Sequence, residues 1–262
     1  MVEPTMDATG CLSGKVALVT GGGSGIGRAT ALALAKAGAR SFICGRTEAT
    51  LSQTIGQAQS AGLALECRRT DVRLPADVDA LIHWIQQRAG RLDILINAAG
   101  ILGPQAPLAE VTPEEWDDVI RTNLTGTFLT CRGVTPFMVR QKSGCIINLT
   151  SGVGRHGRAG WGPYAVSKFG VEGLTQTLAE ELAPSGIVVL AVNPGGTRTR
   201  MRAAAYPMED PATMQAPETV AAVLVNLVAD PTQLPSGKSV DVRDLRERTG
   251  REQGTMHLTR PH

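Results

Sequence analysis

The chain has 262 residues, of which 42% are hydrophobic and 19% charged, and this composition suits one packed α/β domain rather than a disordered chain. Its net charge of +2 is dispersed and only 3% of its residues are aromatic, so no nucleic-acid surface is predicted. The five cysteines lack C-x-x-C spacing, the four histidines lack paired ligand spacing, and no apolar run approaches the ~20 residues of a membrane span. We therefore expect no metal site, no nucleic-acid or membrane partner, and a reducing, cytoplasmic location.

Apolar runs alternate with amphipathic segments along the chain. Strands are predicted at 15–20, 41–44, 63–69, 92–97, 145–150, 187–193 and 238–242, and helices at 25–38, 48–62, 75–89, 113–140, 163–182 and 217–229. Because continuously apolar strands are buried on both faces, we predict a seven-stranded parallel sheet with helices on both faces, a single doubly wound Rossmann domain. Residues 14–245 are predicted to form it, between polar tails at 1–13 and 246–262.

A glycine-rich turn joins the first strand to the first helix. Glycines let the backbone approach a pyrophosphate, and the free amides at a helix N-terminus favour an anion. Glycines also form plain structural turns, but the strand–turn–helix context favours dinucleotide binding. The predicted contacts are Gly21, Gly23, Ser24, Gly25, Ile26 and Gly27.

Tyr164 and Lys168 lie four residues apart near the start of a predicted helix, so they share one face. A tyrosine has an ordinary pKa of about 10, and a nearby ammonium lowers it. The pair is therefore a candidate acid/base group for carbonyl reduction, with a surface contact as the other interpretation.

The Thr-Gly-x-x-x-Gly-x-Gly spacing at Thr20 to Gly27 resembles that of the short-chain dehydrogenase/reductase family, and the likeness covers about residues 14–242. Ser151, thirteen residues before Tyr164, and Asn123, in an Asn-Leu-Thr-Gly sequence, match the family's two other catalytic positions. The stretches 161–169, 193–201 and 209–211 are similar to a bacterial subfamily of unassigned substrate. The resemblance implies an NAD(P)-dependent oxidoreductase that transfers a hydride between nicotinamide and a carbonyl or secondary alcohol, such as a ketone or 3-oxoacyl compound.

The resemblance also implies a role for each catalytic position. Tyr164 gives a proton to the carbonyl oxygen or removes it in the reverse direction, and Ser151 hydrogen-bonds that oxygen. Lys168 lowers the pKa of Tyr164 and binds the nicotinamide ribose, while Asn123 supports a water that relays protons to Lys168.

Further cofactor contacts are implied at the ends of the other strands. The second strand ends at Arg46 rather than at an acidic residue, which favours NADP over NAD because a guanidinium can meet a 2′-phosphate. The remaining implied contacts are Asp71 and Val72 after the third strand, Asn97, Ala98 and Gly100 after the fourth, Pro194, Gly195, Thr197 and Thr199 after the sixth, and Tyr164 and Lys168 themselves. The position of Ala98 is a second asparagine in the family.

Substrate recognition is expected in the segments 152–163 and 201–217. Their arginines, Arg155 and Arg202 among them, suit either an acidic substrate or, as we favour, a solvated basic rim. A non-catalytic dinucleotide sensor and an extended-type epimerase or dehydratase are the alternative functions, and a hydrolase is disfavoured because G-x-S-x-G is absent. The family resemblance also implies a homotetramer or homodimer, paired through the helices near 113–141 and 163–183.

Overall fold

The seven strands of the described part of the chain lie parallel in one sheet. The computed structural model describes residues 10–248. The strands are β1 Val16–Thr20, β2 Arg40–Gly45, β3 Leu65–Arg69, β4 Ile94–Asn97, β5 Gly144–Leu149, β6 Ile187–Asn193 and β7 Ser239–Asp241. Their order is β3-β2-β1-β4-β5-β6-β7, so the direction of winding reverses between β1 and β4. A crevice at such a reversal is where folds of this kind bind ligands.

Helices cover both faces of the sheet. They are α1 Gly25–Lys36, α2 Glu48–Ser60, α3 Pro75–Ala89, α4 Pro113–Ile120, α5 Gly126–Gln141, α6 Gly162–Leu182, α7 Arg200–Ala205 and α8 Pro217–Ala229. Ala17 and Val19 of β1 pack with residues of α1, α2 and α8, whereas Val16 and Leu18 pack with residues of α3, α5 and α6. The two cores confirm the predicted doubly wound fold. No helix within residues 10–248 is long and apolar enough to cross a membrane.

The predicted helix 113–140 is divided in the structure. A π-helical turn, Arg121–Thr125, separates α4 from α5. Such turns widen the helix locally and are frequent at functional sites. Helix α7 is a second departure, because no helix is predicted between residues 193 and 217.

The structure describes one end of each predicted tail, residues 10–13 and 246–248. Leu12 is buried, and its amide donates a hydrogen bond to the Ala37 carbonyl (2.9 Å). Residues 242–248 are helical, so 246–248 continue an element rather than begin a tail. The remaining residues of both predicted tails lie outside the described residues.

Candidate active site

The crevice between β1 and β4 opens at the carboxyl ends of the strands. Two adjoining cavities of about 220 and 170 Å³ share Gly21, Ser24 and Gly100 in their walls. The Thr20 hydroxyl accepts hydrogen bonds from the amides of Ala98 and Ala99, both at 3.1 Å. This residue therefore ties the turn after β1 to the turn after β4, and together they form one groove.

Glycine is sterically required in the turn after β1. A Cβ at Gly27 would lie 2.4 Å from the Gly21 carbonyl oxygen, and Gly21 itself has φ +68°. A Cβ at Gly21 would also lie 2.9 Å from the backbone of Ala98. A side chain at either position would displace the backbone that walls the groove.

The groove fits a dinucleotide. The N-terminus of α1 lies in its wall, and Ser24 occupies the N-cap position without a side-chain capping bond. This end of the helix therefore offers the free amides that a phosphate needs. Arg46 and Thr122 line its far end. Among the described residues, the Thr122 hydroxyl is the one buried side-chain polar atom without a hydrogen-bond partner, as expected of a group that meets a ligand.

Most predicted cofactor contacts line this groove. They are Gly21, Gly23, Ser24, Gly25, Ile26, Gly27, Arg46, Val72, Ala98, Gly100, Pro194 and Thr199, with Tyr164 and Lys168. Gly195 and Thr197 line a separate, adjoining cavity instead.

Two predicted contacts, Asp71 and Asn97, are not brought to the groove wall. The Asp71 carboxylate is ion-paired with Arg73 at 2.6 Å. The Asn97 amide is buried, where it donates to the Asn148 oxygen (2.9 Å) and accepts from the Thr130 hydroxyl (2.7 Å). Both side chains therefore brace the strand ends of the scaffold.

Tyr164, Lys168 and Ser151 come together where β5 meets α6. The Lys168 Nζ donates to the carbonyl of Leu149, the last residue of β5, at 2.7 Å. The same nitrogen lies 5.7 Å from the centroid of the Tyr164 ring. Ser151 follows two residues after Leu149, and its side chain is hydrogen-bonded to Tyr164. The i, i+4 spacing on α6 thus places phenol and ammonium side by side.

Burial controls the protonation of this pair. It raises the pKa of Tyr164 to about 12, and the hydrogen bond with Ser151 opposes that rise. Burial also lowers the pKa of Lys168 to about 8, opposed by the charge of Glu172. The sequence-based expectation was a lowered pKa for Tyr164. The structure differs because burial outweighs the groups that favour the phenolate.

Asn123 lies in the π-helical turn and is completely buried. Its Oδ1 accepts from the Ile101 amide (2.8 Å), and its Nδ2 donates to the Ile101 carbonyl (2.9 Å) and the Ser167 hydroxyl (3.0 Å). The side chain thus ties the segment after β4 to α6. The predicted support of a relaying water stays a prediction.

A third cavity, of about 340 Å³, opens on the other side of Tyr164. Trp161 stands edge-on to Tyr164, with ring centroids 5.9 Å apart, and Tyr206 lies 5.6 Å from Trp161. Arg158 donates a hydrogen bond to the Tyr206 hydroxyl (2.5 Å) and joins the loop after β5 to the end of α7. The resulting cavity has an aromatic wall beside the Tyr164 phenol.

The predicted basic rim is partly neutralised. Arg155 is ion-paired with Asp241 at 2.6 Å, and Arg202 is held by both oxygens of Glu209 at 2.5 and 2.7 Å. The prediction of a solvated rim is corrected at these two positions because tertiary packing supplies each with a carboxylate.

Comparison with known proteins identifies the family. The family model described as short chain dehydrogenase matches residues 15–210 of the chain. The chain belongs to this family. The predicted membership of the short-chain dehydrogenase/reductase family is therefore confirmed, and the chain is an NAD(P)-dependent oxidoreductase.

Similar short chain dehydrogenases span most of the chain. The uncharacterized oxidoreductase YciK of Escherichia coli is 34% identical over 239 residues, 90% of this chain and 94% of its own. The 3-oxoacyl-[acyl-carrier-protein] reductase FabG of Thermotoga maritima is 35% identical over 239 residues, 88% of this chain and 97% of its own. A short chain dehydrogenase from Shigella flexneri, solved in complex with NADP, has a TM-score of 0.85 at 34% identity and covers 90% of this chain and 99% of its own.

Sequence reasoning missed several residues of this short chain dehydrogenase's site. Thr122 carries no motif that marks it, and Leu102 and Val153 resemble ordinary loop residues. Trp161 and Tyr206 fall within the segments 152–163 and 201–217, where substrate recognition is expected, but no motif marks either side chain. The signal that could have found them is the scarcity of aromatic residues, which make up only 3% of the chain. Both of these rare side chains line the same cavity.

Proposed function

We propose that the chain reduces a ketone or 3-oxoacyl-type carbonyl, or oxidises the matching secondary alcohol, with Tyr164 as the acid/base group. One observation carries the proposal: Tyr164 lies in the wall of both the dinucleotide groove and the 340 Å³ cavity. A carbonyl in that cavity would meet the phenol on the side that faces the groove. Nicotinamide, when bound, supplies or accepts the hydride.

Tyr164, Ser151 and Lys168 have different roles in the proton transfer. In the reduction direction, the Tyr164 phenol donates its proton to the carbonyl oxygen, and the Ser151 hydroxyl donates a hydrogen bond to the same oxygen. Burial keeps the phenol protonated near neutral pH, since it raises the pKa of Tyr164 to about 12. The neighbouring Lys168 ammonium stabilises the phenolate that remains.

NADP is the preferred coenzyme in this proposal. Arg46 lines the groove at the end of β2, and no salt bridge engages its guanidinium among residues 10–248. Asp71 attracts this guanidinium electrostatically but is itself ion-paired with Arg73. A guanidinium without a salt bridge suits a 2′-phosphate. The NADP complex of the similar Shigella flexneri protein supports this assignment.

Two further properties belong to the proposal. The name of the Thermotoga maritima relative supports a 3-oxoacyl compound among the substrates. All five cysteines are free thiols, which supports a reducing, cytoplasmic location.

The test is NADPH oxidation against a panel of ketones and 3-oxoacyl thioesters, by the protein and its Tyr164→Phe variant. We expect turnover by the unchanged protein and a loss of about 10²–10⁴-fold in kcat for the variant, which lacks only the proton donor. NADPH fluorescence titration is the control for an intact groove. Full activity of Tyr164→Phe would overturn the mechanism.

A further inference from the structure

Glu172 is a buried carboxylate that the proposed proton chemistry does not use. It lies one helical turn after Lys168 on α6 and is 7% exposed. Its Oε1 accepts hydrogen bonds from the hydroxyls of Thr150 and Ser239, both at 2.9 Å. Among the described residues it forms no salt bridge, which is unusual for a buried charge.

The two hydroxyls connect Glu172 to the elements that carry the site. Thr150 lies between Leu149, whose carbonyl accepts from Lys168, and Ser151. Ser239 is the first residue of β7. The carboxylate therefore joins β5, α6 and β7 directly behind the Tyr164, Ser151 and Lys168 cluster.

The charged surroundings of Lys168 are sparse. Tyr164 and Glu172, both on α6, are the titratable groups that face it within the described residues. Arg155, from the loop after β5, faces Glu172 from another side and is ion-paired with Asp241 at the end of β7. The carboxylate of Glu172 is thus the negative charge that favours the ammonium form of the buried lysine, beside the hydrogen bond from Lys168 to the Leu149 carbonyl.

We propose that Glu172 is a positioning residue for the reaction: its carboxylate holds the segment 149–151 against α6 and keeps the buried Lys168 in its ammonium form. The inference rests on the proposed function, because an ammonium is needed there to stabilise the Tyr164 phenolate. A neutral Lys168 would still bond to the Leu149 carbonyl but would leave the phenolate unstabilised.

The test removes the negative charge of Glu172 and keeps the shape of its side chain. Glu172→Gln retains an oxygen that accepts from Thr150 and Ser239. The chain has five lysines, so [¹³C]lysine NMR of the cofactor-free protein resolves few signals, and Lys168→Met assigns the one of interest. We expect the titration midpoint of Lys168 to fall by about one pH unit in Glu172→Gln, since the negative charge one helical turn away is lost. The alkaline limb of the kcat/KM profile should move to lower pH by the same amount.

Two controls separate charge from structure. Glu180→Gln makes the same change at an exposed position of α6, and Ser239→Ala removes one hydrogen bond but keeps the carboxylate. Both should leave the Lys168 midpoint unchanged. Glu172→Leu is a second neutral variant of similar size and should lower the midpoint as Glu172→Gln does.

The outcomes distinguish this inference from the proposed function. An unchanged Lys168 midpoint in both neutral variants overturns the inference, whatever the activity. A lowered midpoint with an unmoved kcat/KM limb overturns its catalytic part. Full activity of Tyr164→Phe overturns the proposed function, while the NMR titration still reports on Glu172 and Lys168.

Discussion

The arginines of this protein differ in what their guanidinium groups meet. Arg155 and Arg202 each form a salt bridge with a carboxylate. Arg46, in contrast, lines the groove without a salt-bridge partner in the described part of the chain. An anion gains most from a guanidinium that is free of a carboxylate. Arg46 is therefore the arginine that we expect to select the coenzyme.

Replacement of Arg46 by alanine should change coenzyme preference. We expect the KM for NADPH to rise about ten- to a hundredfold, since a charge-assisted contact of ~1.5–3 kcal/mol is lost, and the KM for NADH to stay nearly constant. Steady-state kinetics with both coenzymes measure this. The control is Arg132→Ala, which removes one arginine charge from the exposed face of α5. Equal changes for NADPH and NADH would contradict the assignment.

Local signals mark where several elements begin. Thr112 and Glu115 form a reciprocal capping box at the start of α4, the arrangement that a Thr-Pro-Glu-Glu sequence favours. Thr47 occupies the N-cap position of α2 without a side-chain hydrogen bond. The π-helical turn after α4 has no comparable local signal, because the contacts of Asn123 with Ile101 and Ser167 span 22 and 44 residues.

The capping box gives a prediction about stability. Thr112→Ala should lower the free energy of unfolding by about 1 kcal/mol, because the Glu115 amide loses its acceptor. Urea unfolding followed by circular dichroism measures the change. Thr47→Ala, at a cap position without the bond, should cost less than ~0.5 kcal/mol. Equal costs for the two variants would show that the capping bond is not the cause.

The whole fold places a charged side chain where little water reaches it. Lys168 is 6% exposed, and the sheet, α6 and the turn at Gly154 enclose it. Folding therefore disfavours the ammonium form of Lys168.

The predicted self-association of the chain stays a prediction. The exposed apolar side chains of Phe128, Val166 and Phe169 on α5 and α6 support it.

The buried lysine makes stability depend on pH. Folding lowers the pKa of Lys168 from 10.5 to about 8, so the unfolded chain binds more protons between these values and stability rises with pH there. Relative to Lys168→Met, the protein should gain about 2–3 kcal/mol of unfolding free energy from pH 7 to pH 10. Urea unfolding at the two pH values measures the difference. The exposed Lys36→Met is the control, and a constant difference between the protein and Lys168→Met would refute the linkage.

The sequence alone determined the family, the parallel sheet, the glycine turn and the Tyr164–Lys168 pair. The sheet follows from the apolar periodicity of the strands. The turn follows from glycines at positions where a side chain would collide with the backbone, and the pair follows from residue spacing within a single helix. Tertiary structure alone decided that Arg155 and Arg202 are paired, that Thr122 faces the groove, and that Glu172 lies behind Lys168. It also decided the direction of the pKa shift at Tyr164. Ion pairs and buried hydrogen bonds connect residues that are far apart in the chain. Their energies and the resulting pKa shifts depend on how completely the fold excludes water, and a local sequence pattern does not contain that information.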